Sequence, residues 1–194
     1  VAQSLYAREG GGLITYIRTD SIEIDEGKVP AVRGQVASMF GEDFVQPRNY
    51  KNKKEAKNIQ EAHGAITPVD VSLVPADAKK ILKDDEYKLY KLIWQRTVAS
   101  QMKDAIFERT SIEFVPTGDE GLATFSFSDQ ELIFSGYLEA TQEEVTNNKP
   151  PLIKENDAIG YKELVKTQHF TDPPPRYNDA SMIKALEEKG IGRP

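Results

Sequence analysis

The chain has 194 residues, 39% of them hydrophobic and 29% charged, with one Trp, eight Tyr, eight Phe and no Cys. That balance excludes a disordered or fibrous polymer, a disulfide scaffold and a cysteine-based metal site, and no apolar run approaches the length of a bilayer span. The formal net charge of −6 is uneven: 15 Lys and Arg face 14 Asp and Glu over residues 1–102, but 10 face 17 over residues 103–194, so any binding of a polyanion needs a local basic patch in the first half.

In chain order, Val1 to Glu9 reads as a helix ended by Gly10-Gly11-Gly12, since glycine takes the left-handed cap conformation at little cost. Leu13 to Ile17, rich in β-branched and aromatic residues, reads as a short strand. Thr19-Asp20-Ser21 forms a turn, and Val29, Val32, Val36 and Phe40 recur at helical spacing with Pro30 in the first turn. The basic stretch from Gly41 to Asn58 reads as a loop, and Ile59 to Ile66 as a short segment stopped by Pro68. A short helix over Pro75 to Asp85 precedes a longer one over Tyr87 to Met102, with Tyr90, Ile93, Trp94, Val98 and Met102 on one face.

Beyond Met102 the period changes to two. Ile112/Phe114, Phe125/Phe127 and Ile133/Ser135/Tyr137 alternate with polar neighbours, and Ala158 to Gln168 reads as a further strand, which together predict an antiparallel sheet or part of a small barrel. Pro173-Pro174-Pro175 is a stiff connector, followed by a helix from Asn178 through Lys189 closed by Gly190. The chain opens inside one helix and stops just past another, which leads us to expect a piece of a longer protein.

Four segments carry the chemistry. In Gly12-Leu-Ile-Thr-Tyr16-Ile-Arg18-Thr-Asp20-Ser21, strand alternation would send Tyr16 and Arg18 to one side, where a guanidinium favours phenolate and grips phosphate. Taken alone, a Tyr-x-Arg is more often a strand tyrosine beside a surface arginine. In Gln60-Glu61-Ala62-His63-Gly64-Ala65-Ile66-Thr67-Pro68, His63 either contacts a phosphate or is a satisfied structural histidine, and no metal-ligand spacing accompanies it. In Leu89 to Met102, Trp94 belongs to the core face and Arg96 falls off it. In Pro173 to Pro194, Arg176 and Tyr177, just before a capped amphipathic helix, and Arg193, in its exit turn, are candidate strand contacts.

The order and spacing of these blocks resemble the type IA DNA topoisomerase family over essentially all 194 residues. The resemblance implies a multidomain α+β fold: a winged-helix (CAP-like) domain bearing the catalytic tyrosine over 1–102, a β arch over 103–170, and over 171–194 a proline hinge with the first helix of a strand-binding domain. Tyr16 then matches the catalytic tyrosine and Arg18 the arginine that positions it and the scissile phosphate. His63 matches a histidine of the DNA-binding region, Asp20 a supporting residue, and Arg193 an arginine on the single strand.

The implied chemistry is ATP-independent cleavage, passage and religation of single-stranded DNA through a 5′-phosphotyrosine, relaxing negative supercoils. The implied Mg²⁺ site sits in a Toprim domain that this chain does not contain, so the chain by itself is expected not to relax DNA. The parent is expected to be a monomeric enzyme of the cytoplasm, associated with the nucleoid and with no membrane partner. Gly64 and Thr67 depart from the family's Glu and Arg, and Gly10-Gly11-Gly12 is longer than usual. The competing reading is a non-catalytic winged-helix module that binds duplex DNA.

Overall fold

The computed structural model describes residues 1–19, 21–52, 63–118 and 123–191. It divides into two compact units, Val1–Pro150 and Pro151–Pro194.

The first unit is held by a core of Leu5, Ile14, Val36, Tyr90, Trp94 and Val98, joined by Met102 and two buried alanines. Helix α1 is Ala2–Tyr6, shorter than expected, and α2 is Val29–Phe40, where the expected spacing buries Val29, Val32 and Val36. A 3₁₀ turn, Glu42–Phe44, interrupts the stretch read as loop. Helix α3, Pro75–Ala78, stops well before Asp85, and α4, Asp84–Ala99, begins earlier than expected. Asp84, Asp85 and Glu86 occupy the first turn of α4, where the helix dipole favours negative charge. The Glu86 carboxylate also accepts the Lys83 N–H at 3.3 Å. Tyr90, Trp94 and Val98 turn inward as their spacing predicts.

Two strands follow, β1 (Ile106–Phe114) and β2 (Phe125–Phe134), paired antiparallel from Ile106↔Phe134 to Phe114↔Phe125 with an irregularity at Ile106/Phe107. The alternating residues therefore form a two-stranded ribbon. Its base is fastened where the Phe134 ring lies 4.8 Å from that of Phe44. Tyr137 is not a strand residue: Gly136, at φ 50°, turns the chain, and α5 (Leu138–Thr141) begins there. A Cβ at Gly136 would lie 2.5 Å from the Asp104 carbonyl, so only glycine fits this corner.

The second unit corrects another expectation. Ala158 to Gln168 forms no strand, and Tyr161, Leu164 and Val165 are exposed. Alternation does not make a strand without a partner to complete the ladder. The one helix described here, α6 (Asp179–Glu188), is followed by Gly190 at φ 66° as the sequence indicated, and the Asn178 side chain caps its start by accepting the Ser181 N–H at 2.8 Å. Among the described residues no helix is long and apolar enough to cross a membrane.

Candidate functional site

Tyr16 sits on a segment whose entry is fixed by long-range pairing. The expected strand over Leu13–Ile17 contracts to a bridge between Ile14 and Pro68, flanked by Val69 N–H to the Leu13 carbonyl and Thr15 N–H to the Thr67 carbonyl, both 2.9 Å. Those two bonds bracket the Ile14–Pro68 pair, so the N–H that proline lacks is not called upon. The Thr15 hydroxyl adds two bonds, donating to the Ala65 carbonyl at 2.9 Å and accepting the Thr67 N–H at 2.8 Å. Thr67 is thus a buried backbone partner of the tyrosine segment. Gly12 lies under Tyr6, where the Leu13 N–H reaches the Leu5 carbonyl at 2.8 Å.

Alternate residues of this segment part company. Ile14 is fully buried, whereas Tyr16 keeps 47% of its surface exposed. Two rings meet the Tyr16 phenol edge-on: Tyr6 at 5.7 Å and 63°, and His63 at 5.8 Å and 80°. Edge-to-face packing of this kind confines a ring without covering its hydroxyl. His63 Nδ1 lies 3.1 Å from the Gly64 carbonyl oxygen. The structure therefore brings together Tyr16 and His63, which are 47 positions apart in the chain. Gly64 allows a close approach, since a Cβ there would lie 3.0 Å from the Glu23 carbonyl. Arg18 is half-buried on the same segment. Asp20 and Arg193 lie outside the described residues, as do Gln60, Glu61 and Ala62 of the second block.

Tyr90 shows what a structural tyrosine looks like in this chain. It is fully buried, its hydroxyl donates to the Leu73 carbonyl at 2.8 Å, and burial, reinforced by the Asp70 charge, pushes its phenol above its ordinary range. Trp94 is likewise a core residue, its Nε1 donating to the Val71 carbonyl at 2.8 Å. Arg96, off that face, pairs with Glu143 at 3.3 Å.

Sequence reading missed a second set of polar contacts. Gln101 is fully buried, and its Oε1 accepts from Arg33 Nε at 3.0 Å while its Nε2 donates to the Arg48 carbonyl at 3.0 Å. Arg48 meets Asp104 at 2.8 Å, and that carboxylate raises the guanidinium further above its already high range. Such contacts join positions more than 50 apart, so no local pattern announces them. Among the described residues no group of three or more His, Asp or Glu side chains converges in a way that could hold a metal ion.

A family model described as DNA topoisomerase matches residues 1–194. The chain is 40% identical over 206 residues to DNA topoisomerase 1 of Rickettsia bellii, an alignment that covers all of this chain and 25% of that protein. It is 40% identical over 199 residues to DNA topoisomerase 1 of Helicobacter pylori strain 26695, again over all of this chain and 26% of the relative. It thus spans about a quarter of the length of these curated relatives. Full-length topoisomerase I from Thermotoga maritima superposes with a TM-score of 0.76 at 32% identity, over 99% of this chain and 31% of that one.

Proposed function

Because this chain belongs to the bacterial DNA topoisomerase I family, we propose that Tyr16 is the nucleophile with which the parent enzyme cuts single-stranded DNA. The observation that carries this reading is the environment of the phenol. Tyr16 is exposed and follows directly on Thr15, whose backbone and hydroxyl are bonded to Thr67 and Ala65, while its ring contacts the His63 ring; the core tyrosine, Tyr90, has its hydroxyl spent on a carbonyl.

Tyr16 Oη attacks a backbone phosphorus, forming the P–O(Tyr) bond as the P–O3′ bond breaks. The 3′ oxygen takes up a proton and leaves as a free hydroxyl, and the phosphate stays on Tyr16 as a 5′-phosphotyrosine. One phosphate ester is exchanged for another of similar energy, so the same step run backwards reseals the strand without ATP. A neutral phenol is a weak nucleophile, so attack needs cationic help. Arg18 supplies positive charge on the nucleophile's own segment. His63 is the neighbouring group able to meet a phosphate oxygen or exchange a proton. Asp20 supports this segment, and Arg193 contacts the strand, by the family resemblance alone.

The described residues do not fit the family's Mg²⁺, so no step here runs through that ion. In this reading residues 1–102 are the winged-helix-like tyrosine domain, 103–170 the arch and 171–194 the hinge and first strand-binding helix. Helices α1 to α4 and the β1–β2 ribbon support the first two assignments. The parent acts as a monomer on nucleoid DNA, and strand passage changes its topology.

The test is Tyr16→Phe in the full-length parent, assayed with a 3′-labelled single-stranded oligonucleotide that stays attached to the enzyme after cleavage. We expect the covalent adduct to vanish while DNA binding persists. An adduct that survives the substitution would place the nucleophile on another side chain.

A further inference from the structure

The exit of the Tyr16–Arg18 segment is held by a side chain that the reaction chemistry does not use. Asn52 accepts the Ile22 N–H on its Oδ1 at 2.9 Å and donates from Nδ2 to the Ser21 hydroxyl oxygen at 3.0 Å. Its own backbone N–H donates to the Glu23 carboxylate at 2.8 Å. The side-chain amide therefore offers residues 21 and 22 a donor and an acceptor side by side, as a neighbouring strand would. Ser21 is only 5% exposed, and removing its partner would leave its hydroxyl poorly satisfied.

The two ends of the segment share one anchor. The Ala65 carbonyl accepts the Thr15 hydroxyl at 2.9 Å, and the Ala65 N–H donates to the Glu23 carbonyl at 2.7 Å. Asn52 is itself braced. It lies on a strap, residues 48–52, fastened to the end of α4 by Gln101 Nε2 on the Arg48 carbonyl at 3.0 Å and by the Tyr50 hydroxyl on the Ser100 carbonyl at 3.2 Å. A rigid helix end thus reaches, through one amide, the backbone that follows Arg18.

We propose that Asn52 is a positioning residue for strand cleavage: by fixing Ser21 and Ile22 it sets where Arg18 stands relative to Tyr16. It touches no DNA and acts through the backbone. The inference rests on the proposed role of Tyr16, and its test separates the two.

In the full-length parent, single-turnover formation of the adduct with a 3′-labelled single-stranded oligonucleotide is measured for the wild type, Asn52→Ala, Ser21→Ala and the double variant. DNA affinity, thermal midpoint and the modified tyrosine are determined alongside. A displacement of about an ångström at a reacting group can cost up to about 100-fold, so Asn52→Ala should slow adduct formation by about 10- to 100-fold with DNA affinity unchanged. Ser21→Ala, the milder change, should slow it in the same direction. The double variant should be no slower than Asn52→Ala, because the Asn52–Ser21 contact that Ser21→Ala removes is already lost in Asn52→Ala.

Wild-type rates in Asn52→Ala, or rate losses that multiply in the double variant, would overturn the role of Asn52. So would a rate loss matched by an equal loss of DNA affinity and a collapse in thermal midpoint. An adduct mapped to a tyrosine other than Tyr16 overturns the proposed nucleophile and this inference together. An adduct on Tyr16 with an unaffected Asn52→Ala sinks only the second.

Discussion

Gly12→Ala tests the packing of the tyrosine segment with one methyl group. A Cβ at position 12 would collide with the Tyr6 carbonyl oxygen and lie 3.2 Å from the Tyr6 carbonyl carbon. Both are backbone atoms, and the Leu13 N–H to Leu5 carbonyl bond of 2.8 Å holds the two segments together at that place. No rotamer change relieves the clash, so α1 and the Tyr16 segment must part by about an ångström. Overpacking of this kind costs about 1–3 kcal/mol. At about 2–4 °C per kcal/mol for a chain of this size, the thermal midpoint should fall by about 2–12 °C.

Gly34→Ala supplies the opposite sign. A Cβ there meets nothing within 4 Å inside α2, so replacing a flexible helical glycine should stabilise by about 0.5–1 kcal/mol. Calorimetry of both variants beside the wild type decides the matter. In the parent enzyme Gly12→Ala should also slow adduct formation, because Tyr6 and Tyr16 are in ring contact at 5.7 Å. A Gly12→Ala midpoint equal to or above wild type would refute the packing argument.

Tyr90→Phe removes a buried hydroxyl bonded at 2.8 Å and should cost about 1–2 kcal/mol near neutral pH. The folded phenol titrates above its ordinary 10.0, so the contribution is complete below that pH and is lost as pH rises beyond it. Urea midpoints should therefore fall less steeply above pH 10 in the variant, and parallel slopes would contradict the assignment. Gln101→Met leaves Arg33 Nε and the Arg48 backbone without their buried partner and should cost about 3 kcal/mol, read as a lower urea midpoint at unchanged m. The chain alone, incubated with Mg²⁺ and negatively supercoiled plasmid, should leave the topoisomer distribution unchanged; robust relaxation would contradict this.

Elements ruled by local chemistry were legible in the sequence. The spacing of Val29, Val32 and Val36, the inward face of Tyr90, Trp94 and Val98, and the last helix closed by Gly190 all stand in the structure as read. What escaped depends on distant partners. Ala158 to Gln168 reads like a strand but pairs with no strand among the described residues. The expected strand at Leu13–Ile17 is cut to a bridge because its partner is the short run around Pro68.

At the candidate site, Tyr16 and Arg18 are legible from the block they share, but strand alternation does not extend beyond the bridge to align them. The approach of His63 to Tyr16 was implied by family resemblance and by no pattern in the residues. Thr67 read as the loss of an arginine, whereas in the structure it is a backbone support for Thr15. Asn52, inside a stretch read as loop, carried no local signal, because its meaning lies in Ser21, Ile22 and Glu23 about 30 positions away.

Trp94 gives the molecule a built-in optical reporter. It is the chain's sole tryptophan, and its indole is 3% exposed and tethered by its nitrogen to the Val71 carbonyl. Excited selectively, its emission comes from one dry location and follows the seating of α4 against the Val71 stretch. The β1–β2 ribbon and α6 have no indole, so loosening confined to either is spectrally silent, while melting of the helical core shows as a red shift.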